Sequence, residues 1–190
     1  PTFIFKVLVF NNEIDPDMLG KLLVDSLRKG YIQIVKKIMD SSRFEEINGR
    51  YLGEALYQDT LNKHEELAIE LLNVCHPKES IPAHPTNFLG NDWGDAFKYA
   101  AANGLDKFIN RFITLGTPFN KITLKHLESS LVIASINGNL TVVKAIMDSS
   151  RFNEITQGCL NQAYQWALSK KHEQVVQALK GFTNWRARCV

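Results

Sequence analysis

Three groups of residues in this chain have the types that acid–base, nucleophilic or metal chemistry uses. Lys63-His64-Glu65 returns later as Lys171-His172-Glu173. A histidine beside a carboxylate is a common means of moving protons near neutral pH. Cys75, His76 and His84 offer the thiolate and imidazole donors that bind zinc. Cys159 is a candidate nucleophile. None of the three completes a working constellation. The two His runs fall at the same place in a duplicated pattern, so duplication accounts for them, with each ring bonded to local backbone. Adjacent Cys75 and His76 make poor chelate geometry, and a fourth ligand is missing from a loop stiffened by Pro77, Pro82 and Pro85. Cys159 has no histidine at a nucleophile spacing. There is no phosphate-cradling glycine loop, zincin helix or serine elbow. The sequence therefore predicts no catalytic residue, no metal and no cofactor, and it reads as a non-enzyme.

The composition points the same way. Net charge is +2 over 190 residues, without a basic block. Nucleic acid and anionic membrane are therefore not the expected partners. Three widely spaced cysteines without a CxxC pair suit a reducing, cytoplasmic compartment. No apolar run approaches a membrane span, so no membrane insertion is expected. The Phe3–Phe10 stretch is broken by Lys6 and lacks a cleavage site, which makes it a poor signal peptide.

The positioning elements emerge from a repeat. Ile38-Met39-Asp40-Ser41-Ser42-Arg43-Phe44 recurs as Ile146-Met147-Asp148-Ser149-Ser150-Arg151-Phe152, and residues 23–72 match 131–180 at 20 of 50 positions. Shorter offsets of 33, 41 and 34 residues divide that interval into three units. Gly30, Lys63, Gly104, Gly138 and Lys171 mark the same point, here called the anchor, in five units. Apolar residues then align. Eleven before the anchor stand Leu19, Leu52, Trp93, Leu127 and Leu160; eight after it stand Ile38, Leu71, Phe112, Ile146 and Leu179. Four before it the residue is small in four units (Ser26, Ala100, Ala134 and Ala167), leaving room for close helix approach. Such spacings predict two short helices per unit, each with one apolar face. Glycine at the anchor suits a left-handed turn closing the first helix, and the two lysines there predict strain. After the second helix, Ser42 and Ser150 are expected to cap a short helical turn that tucks Phe44, Ile47, Phe152 and Ile155 under the stack.

A helix–turn–helix unit of this length, with the small residue before the Gly and a Val142-Val143 or Ile34-Val35 pair after it, resembles the ankyrin repeat. Leu131-Val132-Ile133-Ala134 through Gly138, and Ala100-Ala101-Ala102-Asn103-Gly104, carry the resemblance best. The tetratricopeptide repeat has a similar period, but its Trp, Leu-Gly and Tyr pattern is not reproduced. The family's Thr-Pro-Leu-His turn and Gly-Ala-Asp finger are also absent from every unit. The resemblance thus implies an all-α, ankyrin-like helical repeat solenoid with little or no β-finger structure. It covers one domain, 1–190, with a partial unit at 1–15, units near 16–48, 49–81, 90–122, 124–156 and 157–184, and an insertion near 76–90. The family implies a monomeric scaffold binding another protein through its concave groove and inter-repeat loops. Degenerate units of this kind resemble those in proteins that intracellular bacteria deliver to hosts, which implies a host-directed effector acting in host cytosol. The alternative is a targeting or substrate-recognition domain of a larger enzyme.

Groove-facing positions are expected ten to thirteen residues before each anchor, and one or two before it. The partner-binding candidates are Arg28, Arg50, Tyr51, Asn91, Asp92, Asn103, Lys125, His126 and Asn137. They vary between units while the apolar positions repeat. Arg and Tyr are the types that dominate binding hot spots.

Overall fold

The computed structural model describes residues 14–75 and 90–186, without the side chains of residues 90–92, Thr117 and residues 183–186. Residues 1–13 of the expected partial unit and 76–89 of the expected insertion, with His76 and His84, lie outside the described residues. So do the side chains of Asn91 and Asp92.

Eleven α-helices account for most of the described residues, and no strand is present among them. They are α1 (Pro16–Arg28), α2 (Ile32–Met39), α3 (Gly49–Leu61), α4 (Glu65–Cys75), α5 (Gly90–Asn103), α6 (Asp106–Leu115), α7 (Thr117–Lys121), α8 (Leu124–Asn137), α9 (Leu140–Met147), α10 (Gln157–Ser169) and α11 (Glu173–Arg186). The chain is all-α over this extent. Isolated helices this short are marginal in water, so their stability comes from packing. The first helices α1, α3, α5, α8 and α10 pack each against the next. The second helices α4, α6, α9 and α11 do the same in a second layer. Lys36 Nζ, at 3.5 Å from Glu70, joins α2 to α4.

The repeated apolar columns are the interface between these layers. Leu19, Leu127 and Leu160 are fully buried, and so are Ile38, Leu71, Phe112, Ile146 and Leu179. The middle of the core is aromatic. Phe97, Phe108, Trp93 and Phe112 meet at ring-centroid distances of 5.1–5.7 Å. Phe119 of α7 joins Phe97 at 5.7 Å. Such pairs add about 0.5–1.5 kcal/mol each beyond their buried area.

Four of the five first helices start by the same chemistry, and all five stop alike. Fifteen residues before the anchor, Asp15, Asn48, Thr123 and Thr156 accept the backbone N–H of Met18, Arg50, His126 and Cys159. These are N-caps, and α1 adds Pro16 at its first position. At the other end all five anchors have positive φ: 71°, 63°, 71°, 73° and 62° for Gly30, Lys63, Gly104, Gly138 and Lys171. The residue after each anchor donates its N–H to the carbonyl four before the anchor: Tyr31 to Ser26, His64 to Asp59, Leu105 to Ala100, Asn139 to Ala134 and His172 to Ala167, at 2.8–3.0 Å. That bond closes a Schellman turn. The small-residue column is therefore held by its carbonyl as well as by packing.

The duplicated Ser-Ser-Arg-Phe run is structural at both sites. Phe44–Glu46 and Phe152–Glu154 form 3-10 turns, and Phe44, Ile47, Phe152 and Ile155 are buried. The expected serine caps are replaced. Ser41 and Ser149 are the buried serines, and they bond back to the Ile38 and Ile146 carbonyls at 2.8 and 2.7 Å. Arg43 donates to the Ile14 carbonyl at 2.7 Å, and Arg151 to that of Ile122 at 2.8 Å. Each Arg also pairs with a Glu three residues on, Glu46 or Glu154. One arginine thus ties each turn to the chain entering the preceding first helix.

Substitution at the anchors separates strain from contact. A Cβ at Gly30 meets nothing within 4 Å, whereas one at Gly138 lands 2.6 Å from His172 Nδ1. Gly30→Ala is expected to cost about 1 kcal/mol, from backbone strain alone. Gly138→Ala should cost clearly more, and Lys171→Gly should be neutral or stabilising. Urea denaturation midpoints of the three variants check this ordering.

Candidate functional site

The recurring Lys-His-Glu runs serve different contacts at their two sites. In the first, Glu65 Oε1 accepts the N–H groups of Lys107 and Phe108 at 2.9 and 3.2 Å. It thereby caps α6 of the next unit, where a carboxylate also complements the helix dipole. In the second, His172 Nε2 lies 2.9 Å from the Ile136 carbonyl, 36 residues earlier. The expected bond to local backbone is instead a bond to the preceding unit.

His64 faces an unusual neighbour. Asp59 occupies the otherwise small position four before its anchor, and it is fully buried. Neither carboxyl oxygen has a hydrogen-bond partner, nor does His64 Nδ1. Nδ1 and Oδ1 are 3.5 Å apart, near enough for attraction and too far for a good hydrogen bond. Burial, and secondarily Glu70, pushes the Asp59 carboxyl up to about 8. A histidine beside a buried carboxylate has the composition of a proton-transfer dyad. Asp59 is sealed from solvent, while the His64 side chain is 31% exposed.

Cys75 and Cys159 are both buried. Burial pushes the Cys75 thiol far upward. Burial, with Glu128 beside it, pushes the Cys159 thiol up to about 12. Both thiols are therefore held protonated, the inert form. Among the described residues no three His, Cys, Asp or Glu side chains gather as a metal requires.

The surface of the first-helix layer carries a different kind of site. Two open cavities lie along it. One, of about 270 Å³, is lined by Arg50, Gly53, Glu54, Tyr57 and Asp95. The other, of about 560 Å³, has Val132, Ile133 and Ile136 among its walls, with Lys98, Lys125 and Ser129 beside them. The two draw on the same register: thirteen, nine and six residues before the anchor. A third cavity, of about 950 Å³, lies between α9 and α11 and is bounded by Leu140, Leu168 and Val176.

That register sorts the sequence candidates. Arg50 and Lys125 line the two cavities and are exposed. Arg28 is exposed and bridges to Glu54 at 2.8 Å and Asp25 at 3.3 Å. Tyr51 and His126, twelve before their anchors, point between units. A Cβ on Gly20 would lie 2.3 Å from the Tyr51 ring, and one on Gly94 2.3 Å from His126. Each ring fills a space that glycine leaves in the preceding first helix. The Tyr51 hydroxyl donates to Asp17 at 3.0 Å, and His126 Nδ1 pairs with the Thr123 hydroxyl at 2.8 Å. Asn103 donates to the Thr60 and Leu61 carbonyls at 2.9 and 3.4 Å, and Asn137 to that of Ala102 at 2.7 Å. Asn139 adds bonds to the Ala101 and Ala102 carbonyls. These asparagines satisfy carbonyls at the end of the preceding first helix, groups that have no partner within their own helix.

Sequence reasoning missed Glu54, Tyr57, Asp95, Lys98, Ser129 and Val132. Their signal was present as two further columns, nine and six before the anchor, in which residue types change from unit to unit. It also missed the column of N-caps. No protein-family model, curated protein or solved structure matches the chain.

Two measurements follow. A carboxyl whose folded value is raised holds its proton more tightly in the folded protein. Asp59 should therefore make stability fall as pH rises from about 4 to about 8. Asp59→Ala, which restores the small residue of the other units, is expected to stabilise the protein at pH 8 and to flatten that slope; urea unfolding at pH 5, 6.5 and 8 reads it. Asn103→Ala should cost about 1 kcal/mol in the same assay, by removing its bonds to the Thr60 and Leu61 carbonyls, and Asn137→Ala should cost less, because Asn139 still donates to the Ala102 carbonyl at 3.2 Å.

Proposed function

We propose that this chain is a non-catalytic, ankyrin-like repeat scaffold that binds a partner protein along the exposed face of its first helices. The observation that carries this reading is the pair of cavities at α3/α5 and around α8, built from equivalent register positions. A stack that packs with one recurring core leaves equivalent outward positions on successive units, and those of α3, α5 and α8 line the two cavities. In this chain those positions hold different residues: Arg50 and Lys125 thirteen before the anchor, Glu54, Asp95 and Ser129 nine before it, Tyr57, Lys98 and Val132 six before it. A recurring core with a varied face gives a continuous surface whose chemistry is set unit by unit. The two protonated thiols favour binding over catalysis.

Among the described residues no helix is long and apolar enough to cross a membrane. A face of this kind serves a scaffold acting alone and the recognition segment of a longer enzyme equally. Action as an effector in host cytosol belongs to the same proposal and rests on the repeat resemblance alone.

Affinity capture from cytosolic extract tests the face. A front variant, Arg50→Ala, Tyr57→Ala and Lys125→Ala, should lose at least one partner that the wild type retains. A back variant, Gln33→Ala, Lys36→Ala and Gln174→Ala, should keep it. Equal recovery of every partner by the front variant and the wild type would rule the face out.

A further inference from the structure

We infer that the cavity around α8 takes a peptide segment of a partner in which an apolar side chain is flanked by aspartate or glutamate. This deepens the scaffold reading and rests on it.

The cavity combines two features. Val132, Ile133 and Ile136 are half-buried branched apolar side chains on one stretch of α8. Together they present an apolar strip to solvent in a concavity of about 560 Å³. That is room for one or two side chains of a partner, and burying a Leu or Phe there removes apolar surface from water. Gly158 stands in the opposing wall, and a Cβ added to it would touch only Thr156 Oγ1 at 3.9 Å. An incoming backbone can therefore approach α10 closely.

The charges around the strip are unbalanced. Lys98 and Lys125 both line the cavity. Among the described residues neither has a carboxylate partner, Lys98 instead lying 5.3 Å from the Tyr99 ring centroid. Glu128 is the carboxylate in the wall, and its Oε1 already accepts the N–H and hydroxyl of Thr156 at 2.9 and 2.7 Å. The neighbouring cavity contrasts with it: Arg50 there faces two carboxylates, Glu54 and Asp95. Glu54 is also bridged by Arg28 at 2.8 Å, so the face turns from charge-balanced near α3 to net basic near α8, and a ligand carrying carboxylates is drawn to the basic end. Two lysines beside an apolar strip fit a peptide better than a nucleic acid, whose affinity comes from many phosphate contacts.

Random twelve-residue peptides displayed on phage and selected on the full chain test this. Enriched peptides should place Asp or Glu within a few residues of Leu, Ile, Val or an aromatic. A synthetic copy of the most enriched should bind Lys98→Glu/Lys125→Glu at least tenfold less tightly than wild type. The milder Lys98→Gln/Lys125→Gln pair should weaken it about threefold, with an unchanged urea midpoint proving the fold intact. Enrichment of neutral or basic peptides, no enrichment, or indifference to both lysine pairs overturns the inference. So does equal binding of a twelve-residue oligo-dT. If the selected peptide ignores the lysines but is lost with Arg50→Ala/Tyr57→Ala, this inference fails and the scaffold face stands. If no substitution on the face changes binding, both fail.

Discussion

The stack depends on how each first helix ends. An α-helix leaves its last carbonyls without partners, and here five helices end side by side in one layer. The left-handed anchor residue and the bond from the residue after it close each turn internally. The remaining carbonyls are reached from the next unit, by Asn103, by Asn137 and Asn139, and by His172. Two of those side chains use the glycine turn directly: glycine at 104 and 138 leaves space that Asn139 and His172 occupy. Polar satisfaction and unit spacing are thus one constraint. Buried carbonyls left open would cost more than the net value of the bonds that close them.

The same logic explains what the chemistry-bearing residues do within the stack. Lys171 sits where the backbone prefers glycine, His172 closes a neighbour's helix, and Glu65 opens another. The two copies of one tripeptide do different work because their surroundings differ. Glu65 is followed in space by α6, and Glu173 has no later described helix pair to cap. Asp59 is the exception within the core. Where other units place Ser or Ala, it puts a carboxyl without a hydrogen bond, so that junction stays closed at the expense of a proton.

The sorting of surface residues follows from helix geometry. Positions eleven, seven and four before the anchor share the buried side, so thirteen, nine, six and two before it share the opposite one. Positions twelve and one before the anchor fall at the boundary between adjacent first helices. Tyr51 and His126 stand there as varied residues, whereas Asn103 and Asn137 repeat one residue type in one role; both kinds record how each unit meets its neighbour. Glycine ten before the anchor, at 20 and 94, was the available hint that a large side chain enters from the next unit. It has meaning only once the two helices are set side by side.

By itself the sequence determined the helices and their period. Apolar spacing is local, and a residue's place in the 3.6-residue turn fixes which side it shares with its neighbours. The anchor turns were equally legible, since glycine marks positive φ and the register extended that expectation to Lys63 and Lys171. Only the tertiary structure decided which varied residues bridge units and which line the exposed cavities. Those roles depend on contacts between residues thirty to forty apart, at distances set by packing. It also decided that Asp59 is buried without a hydrogen bond, because burial belongs to the assembled stack and not to any one helix.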